Sequence, residues 1–233
     1  MSIKLDAENY SINNDLINHY CPPDWIQVLN RKKSTWRYKK GELIINEGAY
    51  VNGVYFIHKG KVKVYKSVNS ESCQVVRLSK DGDMLGHRGV GYESNYPISA
   101  TALEESIISF IEIDLFIEVL RNSPDLILRL MHFFADELRR SEIRYKNSVT
   151  MTVREKVAEA LLLIIDAFGI SPDNMLNISL SRQGIADIAG TTKEQVSKFL
   201  SEFKEANIID LKSKDIELKD IERLRGHIFY SSF

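Results

Sequence analysis

The pattern of apolar and polar positions divides the chain into a β-rich part and a helical part. Between residues 41 and 113, short runs of β-branched and aromatic residues alternate with glycine-containing turns, a pattern typical of a sandwich or barrel. Val54-Tyr55-Phe56-Ile57 and Val62-Lys63-Val64-Tyr65 flank His58-Lys59-Gly60-Lys61, and we expect a hairpin there with Gly60 at positive φ. Further strands are predicted at residues 74–78, 84–86 and 106–113.

After residue 113 the periodicity becomes helical. Residues 114–120 suit a short helix, and a longer helix is predicted from Pro124 to about Ser148 because no glycine or proline interrupts that stretch. An amphipathic helix is predicted at 152–168, followed by two shorter helices within 179–207. The second part of the chain is therefore predicted to be mainly α-helical.

The long helix carries a stripe of residues whose steps alternate between four and three. This spacing is that of the seam in a two-stranded coiled coil, so we predict that the helix forms a dimer interface. The sequence leaves open the alternative that the same stripe packs against its own β domain. The predicted seam residues are Ile127, Met131, Phe134, Leu138, Ser141, Tyr145 and Ser148.

Residues 181–200 fit a helix-turn-helix. Ala186 is the small residue needed where the two helices touch, and Gly190 tolerates the left-handed geometry of the turn. Thr192, three residues before Gln195, predicts a capping box that starts the second helix. The apolar positions expected to face the first helix are Val196, Phe199 and Leu200.

This placement leaves a polar face on the first turns of the second helix, where a recognition helix contacts base edges. A glutamate can accept a hydrogen bond from cytosine, a lysine can donate to guanine, and a serine can do either. The alternative is a solvated charged face on a plain helical hairpin. Two strands predicted within 208–218 would make the motif a winged helix, whose turn at Lys212-Ser213-Lys214 could reach phosphate. The polar face consists of Lys193, Glu194, Ser197 and Lys198.

Composition sets bounds but does not indicate a function. The chain has 233 residues, which favours two domains over one. No stretch approaches the roughly 18 apolar residues of a membrane span, and the N-terminal pattern is not that of a signal peptide, so we expect a cytoplasmic protein. The net charge is −1, and residues 151–233 hold eleven Lys and Arg against thirteen Asp and Glu. The DNA-binding hypothesis therefore depends on residue patterns and not on overall charge.

The sequence offers little for catalysis or for metal binding. No Ser/His/Asp grouping, phosphate-binding glycine loop or His-x-x-His pair is recognisable, and we predict that the protein is not an enzyme. Two cysteines, Cys21 and Cys73, are too few for a disulfide framework or for the four-cysteine site of an iron–sulfur cluster.

In their order along the chain, these elements resemble the CRP/FNR family of bacterial transcription regulators. The resemblance runs from about Lys40 to Leu224, and its most specific parts are Ser181–Ala186 and Gly190–Lys198. It implies an α+β fold with an N-terminal double-stranded β-helix (jelly-roll) barrel of the cyclic-nucleotide-binding type, a long dimerisation helix and a C-terminal winged helix-turn-helix. The expected domains are residues 1–115, 116–149 and 150–233.

The resemblance also implies a homodimer on a palindromic operator in double-stranded DNA, with Glu194 and Lys198 in base contacts and RNA polymerase as the expected protein partner. Ser197 is similar to the FNR branch, which suggests a half-site like TTGAT. Lys198 stands where both branches usually have arginine, and lysine lacks the two-pronged donor geometry of arginine. The complete set of predicted DNA-binding residues is Arg182, Thr192, Lys193, Glu194, Ser197 and Lys198.

The cyclic-AMP-binding members of the family carry a glutamate for the ribose and an Arg-Ser pair for the phosphate. Here the glutamate position is His87, and the Arg-Ser position falls near Pro97 and Ile98, which supply no side-chain donor. Cyclic AMP bound in the usual mode is therefore not expected. Arg88 could bind another anion or form a structural ion pair. The candidate effector pocket comprises Gly86, His87, Arg88 and Ser99.

The expected controlling signal is a small effector or a redox signal, and its identity and that of any cofactor stay unknown at this stage. One alternative is a haem-based gas or nitrosative-stress sensor of the same family, although none of the five histidines lies in a motif that marks it as a ligand. Another alternative is a cyclic-nucleotide-binding signalling module that does not bind DNA, which the complete helix-turn-helix pattern argues against.

Overall fold

A computed structural model of the chain describes residues 2–69, 72–91, 94–213 and 215–228. Contacts between residues divide the chain into two units, the first comprising 1–67 with 79–140 and the second comprising 68–78 with 141–233. Within the described residues, no helix is both long and apolar enough to cross a membrane. The predicted domain boundaries at residues 115 and 149 stay proposals.

The first unit opens with a segment for which the sequence patterns had given no element. Strand β1 covers Ile3–Leu5 and is followed by helices α1, Asp15–Tyr20, and α2, Pro23–Lys32. Asn14 caps α1, because its side-chain oxygen accepts a hydrogen bond from the backbone N–H of Ile17 at 3.2 Å. Helix α2 begins with a proline at its first position, where a missing N–H costs no helical hydrogen bond.

Two antiparallel sheets form the β domain, as the jelly-roll prediction requires. A five-stranded sheet has the order β1-β2-β9-β4-β7, and a four-stranded sheet has the order β3-β8-β5-β6. The fold class predicted from the sequence is thus confirmed. The strands are β2 Ser34–Tyr38, β3 Leu43–Ile45, β4 Gly53–Lys59, β5 Val62–Ser67, β6 Cys73–Ser79, β7 Met84–Leu85, β8 Ser99–Ala102 and β9 Ser106–Glu112.

The predicted hairpin about Gly60 is wrong. Strand β4 pairs with β9 and β7, whereas β5 pairs with β8, so the chain crosses from one sheet to the other at this turn. Gly60 has the expected positive φ of 121°, and a Cβ atom there would lie 2.2 Å from the hydroxyl of Ser106. A glycine turn between two β segments marks a reversal, but which strands then pair is decided by contacts distant in sequence.

Two helices follow the sheets, α3 at Ile113–Arg121 and α4 at Pro124–Thr150. Both contribute to a core cluster that includes the inner side chains of β4 and β9. Phe116 and Val119 of α3 are almost fully buried, and Leu126 and Leu130 of α4 join the same cluster. The first turns of α4 are therefore fixed by apolar burial in the first unit.

The second unit contains the helix-turn-helix and its wing, as predicted. Helix α5 starts at a complete capping box, in which Thr152 and Glu155 exchange side-chain and backbone hydrogen bonds of 2.7 and 3.3 Å. Strands β10 and β11 form an antiparallel two-stranded sheet after the helices. The elements are α5 Val153–Phe168, α6 Arg182–Ala189, α7 Lys193–Glu205, β10 Ile209–Lys212, β11 Asp215–Leu218 and α8 Ile221–Arg225.

A buried polar network lies in the first unit beside β9. The imidazole Nε2 of His58 is 2.7 Å from the Ser109 hydroxyl, which lies 2.7 Å from the hydroxyl of Thr35. Burial lowers the pKa of His58, the positive charge of Lys33 lowers it further, and a backbone hydrogen bond at Ser11 opposes both effects. In the folded protein His58 is thus harder to protonate than in an unfolded chain.

We expect acid to destabilise the first unit through His58. Above the ordinary histidine pKa of about 6.5, folded and unfolded chains are both neutral at this position, whereas below it the unfolded chain takes up the proton more readily. The melting temperature should fall as the pH drops from about 8 to about 5, and His58→Gln should make that fall smaller. The comparison variant is His227→Gln, which removes a histidine of the second unit whose pKa is also lowered by burial. It should therefore reduce the pH dependence of the second unit and not that of the first. An unaltered pH slope in His58→Gln would contradict the assignment.

Candidate nucleic-acid interface and effector pocket

The helix-turn-helix is built from three local signals. Ser181 caps α6 by accepting a hydrogen bond from the backbone N–H of Gly184 at 3.0 Å. Gly190 ends that helix in the left-handed conformation with φ 64°. Thr192 starts α7 by accepting from the backbone N–H of Gln195 at 3.3 Å, which is the Thr192 half of the predicted capping box. The turn between the helices is thus defined by the residue types that the sequence supplies there.

Packing between α6 and α7 follows the predicted apolar positions in part. Ala186 is buried on α6, and Val196 and Leu200 are buried on α7. Phe199 is only partly buried and lies under the ammonium group of Lys198, with 5.2 Å between that nitrogen and the ring centroid. Phe203, which was not among the predicted positions, is fully buried. It lies one helical turn beyond Phe199, so the 3.6-residue period could have indicated it.

The predicted recognition residues lie together on one exposed face of α7. Glu194 and Lys198 are one turn apart, and Ser197 lies beside Lys198. The Ser197 hydroxyl donates to the carbonyl of Lys193 at 2.8 Å, and the Lys193 ammonium is 3.8 Å from the Glu194 carboxylate. Thr192 and Arg182 occupy the starts of the two helices, at the cap of α7 and the first residue of α6.

The lysines around the wing are paired with carboxylates. Lys212 lies 2.7 Å from Glu217, and Lys219 also contacts that carboxylate. Hydrogen bonds from Lys212 and Lys219 lower the pKa of Glu217, and the bond to Glu217 raises the pKa of Lys212. Lys214, the other lysine predicted to reach phosphate, lies outside the described residues. Residue counts alone did not predict this pairing.

Asp187 on α6 is buried and accepts two hydrogen bonds that the sequence patterns did not predict. The Gln183 amide donates to it at 2.8 Å, and the Cys73 thiol of β6 donates to it at 3.3 Å. Gln74 of the same strand also approaches Gly190, where its side-chain oxygen would be 2.8 Å from an added Cβ. Asp187 and Cys73 are 114 positions apart, so local periodicity contains no signal for this contact.

The candidate effector residues lie against helix α4 of the same unit. His87 is buried, and its ring centroid lies 5.0 Å from that of Phe133 and 5.7 Å from that of Phe134. The Arg88 guanidinium forms a 2.7 Å ion pair with the Glu137 carboxylate, which is mostly shielded from solvent. Gly86, with φ 80°, provides the turn that leads into these two side chains. Arg88 is therefore in a structural ion pair in this structure.

Ser99, the fourth candidate pocket residue, has a different environment. It is buried, and its hydroxyl accepts a hydrogen bond from the backbone N–H of Glu47 at 3.0 Å. The neighbouring Ile98 is also buried. The structure thus brings His87 and Arg88 to α4, whereas Gly86 lies near Gly53 and Tyr96 and Ser99 lies beside the start of the turn after β3.

The predicted dimer residues differ in exposure along α4. Met131, Leu138 and Tyr145 are 61%, 62% and 74% exposed, and Ser141 and Ser148 are exposed as well. Ile127 is 39% exposed, whereas Phe134 is partly buried against His87. Most of the predicted stripe is therefore exposed on α4.

Comparisons with known proteins match two separate parts of the chain. Residues 35–123 match the family described as cyclic nucleotide-binding domain, and residues 155–226 match the Crp-like helix-turn-helix domain. A CRP-like cAMP-activated global transcriptional regulator of Mycobacterium tuberculosis is 24% identical over 87% of this chain and 91% of its own length. The fumarate and nitrate reduction regulatory protein of Escherichia coli K12 is 23% identical, over 86% of this chain and 80% of the relative.

Solved structures show the same fold. FixK2 from Bradyrhizobium japonicum aligns with a TM-score of 0.75 and 23% identity, covering 86% of this chain and 99% of FixK2. A mutant of CooA from Carboxydothermus hydrogenoformans aligns with a TM-score of 0.71 and 22% identity, covering 94% of this chain and 98% of that one. At these identities the likeness is one of fold.

The helix-turn-helix contains two glycines, Gly184 within α6 and Gly190 in the turn, for which alanine substitution should have opposite effects. Gly190→Ala should lower the free energy of unfolding by about 1–2 kcal/mol, because the left-handed conformation is costly for a residue with a Cβ atom. Gly184→Ala should be neutral or raise it by up to about 1 kcal/mol, since Gly184 is helical and its added Cβ would meet no atom closer than 3.6 Å. Chemical denaturation of both variants measures the difference, and equal effects would contradict this description of the turn.

Proposed function

Because the chain belongs to the CRP/FNR family of transcription regulators, we propose that it binds operator DNA as a homodimer under the control of a small effector other than cyclic AMP. The observation that carries the DNA-binding part is the exposed face of α7. The exposed polar side chains on the first turns of this capped helix include both hydrogen-bond acceptors and hydrogen-bond donors. This is the part of a recognition helix that enters the major groove.

The residue roles follow from donor and acceptor chemistry. Glu194 accepts from the amino group of a cytosine, and Lys198 donates to the O6 and N7 atoms of a guanine. Ser197 can donate or accept beside them. Lys193, Thr192 and Arg182 lie at the helix starts, where contacts to phosphate orient the protein on the duplex. We therefore propose that Glu194, Ser197 and Lys198 determine the sequence preference.

The proposed operator is a palindrome with TTGAT-like half-sites. A symmetric dimer places its two recognition helices in successive major grooves about 34–36 Å apart, so the half-site centres are separated by about one helical turn of DNA. Lys198 forms a point-charge contact and not a bidentate fork, so we expect discrimination at its base pair to be weaker than an arginine would give.

The proposed control acts through α4. The His87 ring packs at steep angles against the rings of Phe133 and Phe134, and Arg88 pairs with Glu137, so direct contacts hold the loop after β7 to helix α4. An effector that binds better to one arrangement of these contacts would shift the population between two states of the helix. Two arrangements of α4 in a dimer would differ in the spacing of the recognition helices.

Two observations favour an effector other than cyclic AMP. His87 replaces the glutamate that would bind ribose, and its ring is enclosed by aromatic side chains of α4. Arg88, the nearest cation of the candidate pocket, is already neutralised by Glu137. A cyclic phosphate needs an opposing cation and several donors, and neither Ile98 nor Ser99 supplies a guanidinium.

We further propose that the regulator acts in the cytoplasm and contacts RNA polymerase. Both statements follow from the family assignment and from operator binding, since a dimer at a promoter acts where transcription starts.

Removal of the proposed base contacts should abolish sequence preference while leaving the fold intact. Selection from a random double-stranded library would first identify the operator of the unaltered protein, and fluorescence anisotropy would then measure affinity. Glu194→Ala combined with Lys198→Ala should weaken operator binding by about tenfold or more, because good base contacts contribute about 1–3 kcal/mol each. The affinity for unrelated duplexes should change less.

The matched control is Glu222→Ala combined with Arg225→Ala. This exposed pair on α8 also consists of one acid and one base, 3.5 Å apart, so both double variants keep the net charge. The control should bind the selected operator normally. Unchanged operator affinity in the α7 double variant would remove the recognition assignment.

Cyclic AMP should not stabilise the protein. A ligand present at about one hundred times its Kd raises the free energy of unfolding by about 2.7 kcal/mol, which shifts a melting curve by several degrees. At about 1 mM cyclic AMP we expect no such shift, whereas the cAMP-activated regulator of Mycobacterium tuberculosis serves as the positive control.

A clear rise in melting temperature with cyclic AMP would overturn the proposal about the effector without affecting the DNA-binding part. Native mass spectrometry and an absorbance scan of freshly purified protein complete the test. A haem absorption band would instead support a haem-based sensor, and a retained small molecule would identify the effector class by its mass.

A further inference from the structure

One side of helix α6 contacts strand β6, which lies far earlier in the sequence. Gln183 and Asp187 are one helical turn apart on this side, and Gly190 ends the helix. The Cys73 thiol contacts Asp187, and the side chain of Gln74 lies close to Gly190. Two adjacent residues of the strand thus contact the middle of the helix and the turn that ends it. By its contacts, this part of the strand belongs to the same unit as the helix-turn-helix.

Asp187 is a buried carboxylate at the centre of this contact. The residue is only 7% exposed, and its two oxygens accept hydrogen bonds from the Gln183 amide at 2.8 Å and from the Cys73 thiol at 3.3 Å. A buried carboxylate is costly unless donors replace the water that it has lost. Gln183 is on the same helix as Asp187, whereas Cys73 is on the strand. The thiol bond therefore joins α6 to β6.

Helix α6 is in contact with neighbours on two of its sides. Ala186, which is buried, is the small residue predicted at the crossing with α7. The next residue, Asp187, points in a direction about 100° away, so the helix can pack against α7 and bind β6 at the same time. Together the two contacts fix both the rotation of α6 and the place where it ends.

The end of α6 decides where the recognition helix begins. Gly190 ends α6, the backbone N–H of Thr191 donates to the carbonyl of Ala186 at 3.2 Å, and Thr192 caps α7. The proposed base-contacting residue Glu194 follows within the first turn of α7. Because the connection is so short, a displacement of α6 or of the turn also displaces the first turns of α7.

We propose that Cys73 positions the recognition helix by joining α6 to β6 through Asp187. The inference rests on the proposed DNA binding and adds to it a positioning residue outside the helix-turn-helix. Its physical basis is preorganisation, because an interface that is already held in its binding geometry loses less conformational entropy when it binds. Cys73 contacts no base in this role and acts through Asp187 and the turn.

Two substitutions at Cys73 separate its hydrogen bond from its packing. Cys73→Ser keeps a side-chain donor, whereas Cys73→Val fills the space without a donor and suits a strand. The matched control is Thr101→Val on β8, which also replaces a polar strand residue by valine. It removes a hydroxyl that lies 3.2 Å from the hydroxyl of Tyr65, a contact of the first unit.

Amide hydrogen exchange measures the effect on the turn without DNA. In Cys73→Val we expect the amides of residues 186–195 to exchange about threefold faster or more, because loss of a hydrogen bond lowers the free energy of local opening. Cys73→Ser and Thr101→Val should exchange there as the unaltered protein does. Unchanged exchange at the turn in Cys73→Val would overturn the inference, whatever the protein does with DNA.

Operator binding gives the functional readout. Cys73→Val should weaken binding to the selected operator by about threefold to tenfold and binding to unrelated duplexes by less, since base contacts depend most on the position of α7. Cys73→Ser should retain the operator affinity. A purely structural role would reduce the folded fraction and leave the ratio of the two affinities unchanged, so an unchanged ratio in Cys73→Val contradicts the inference. If exchange at the turn changes as expected but the unaltered protein selects no operator, the positioning of α7 is supported and the proposed function fails.

A thiol reagent tests the same bond in the unaltered protein. Cys73 is partly exposed, whereas Cys21 is buried and burial raises the pKa of its thiol, so N-ethylmaleimide should react first at Cys73. The sulfur adds to one carbon of the maleimide double bond and a proton to the other, which removes the donor. The alkylated protein should lose operator preference as Cys73→Val does, and Cys73→Ser should be insensitive to the reagent. Full operator affinity after alkylation at Cys73, verified by mass spectrometry, would refute the proposed role.

Discussion

Helix α4 has about 3.6 residues per turn, which fixes the direction of each of its side chains. A side chain that points into the first unit therefore cannot contact a partner molecule. This constraint governs much of the molecule. Leu126 and Leu130 fix the rotation of the helix by burial in the core of the first unit, and the ion pair between Glu137 and Arg88 fixes it again two turns later. Which face remains outside then follows from geometry.

The sequence predicted those elements whose signals are local. Gly190 with its left-handed φ, the Thr192 cap and the buried Ala186 all lie within a few residues of the turn that they define, and the structure has each of them where the pattern indicated. The confirmed fold class likewise followed from short β segments before a helical half. Such features need no information from distant parts of the chain.

What sequence spacing could not supply depends on contacts between distant residues. The turn at Gly60 was recognisable, but the pairing of β4 and β5 with different partners was not. For α4, Phe134 and its neighbour Ala135 differ by only about 100° on the helix, and the contact of Phe134 with His87 determines which of them is engaged inside the chain. The bond from Cys73 to Asp187 likewise joins strands and helices that no periodicity connects.

The paired lysines of the second unit have a consequence for how DNA would be held. Lys212 and Lys204 lie within 3 Å of Glu217 and Asp210, so part of the positive charge near the wing already has a carboxylate as its counterion. When a phosphate approaches such a lysine, it competes with a tethered acid and displaces few dissolved ions, and the entropy gained by counterion release is correspondingly small. These two lysines then add little to non-specific attraction to the polyanion. The proposed base contacts of α7 would then supply a larger share of the binding free energy.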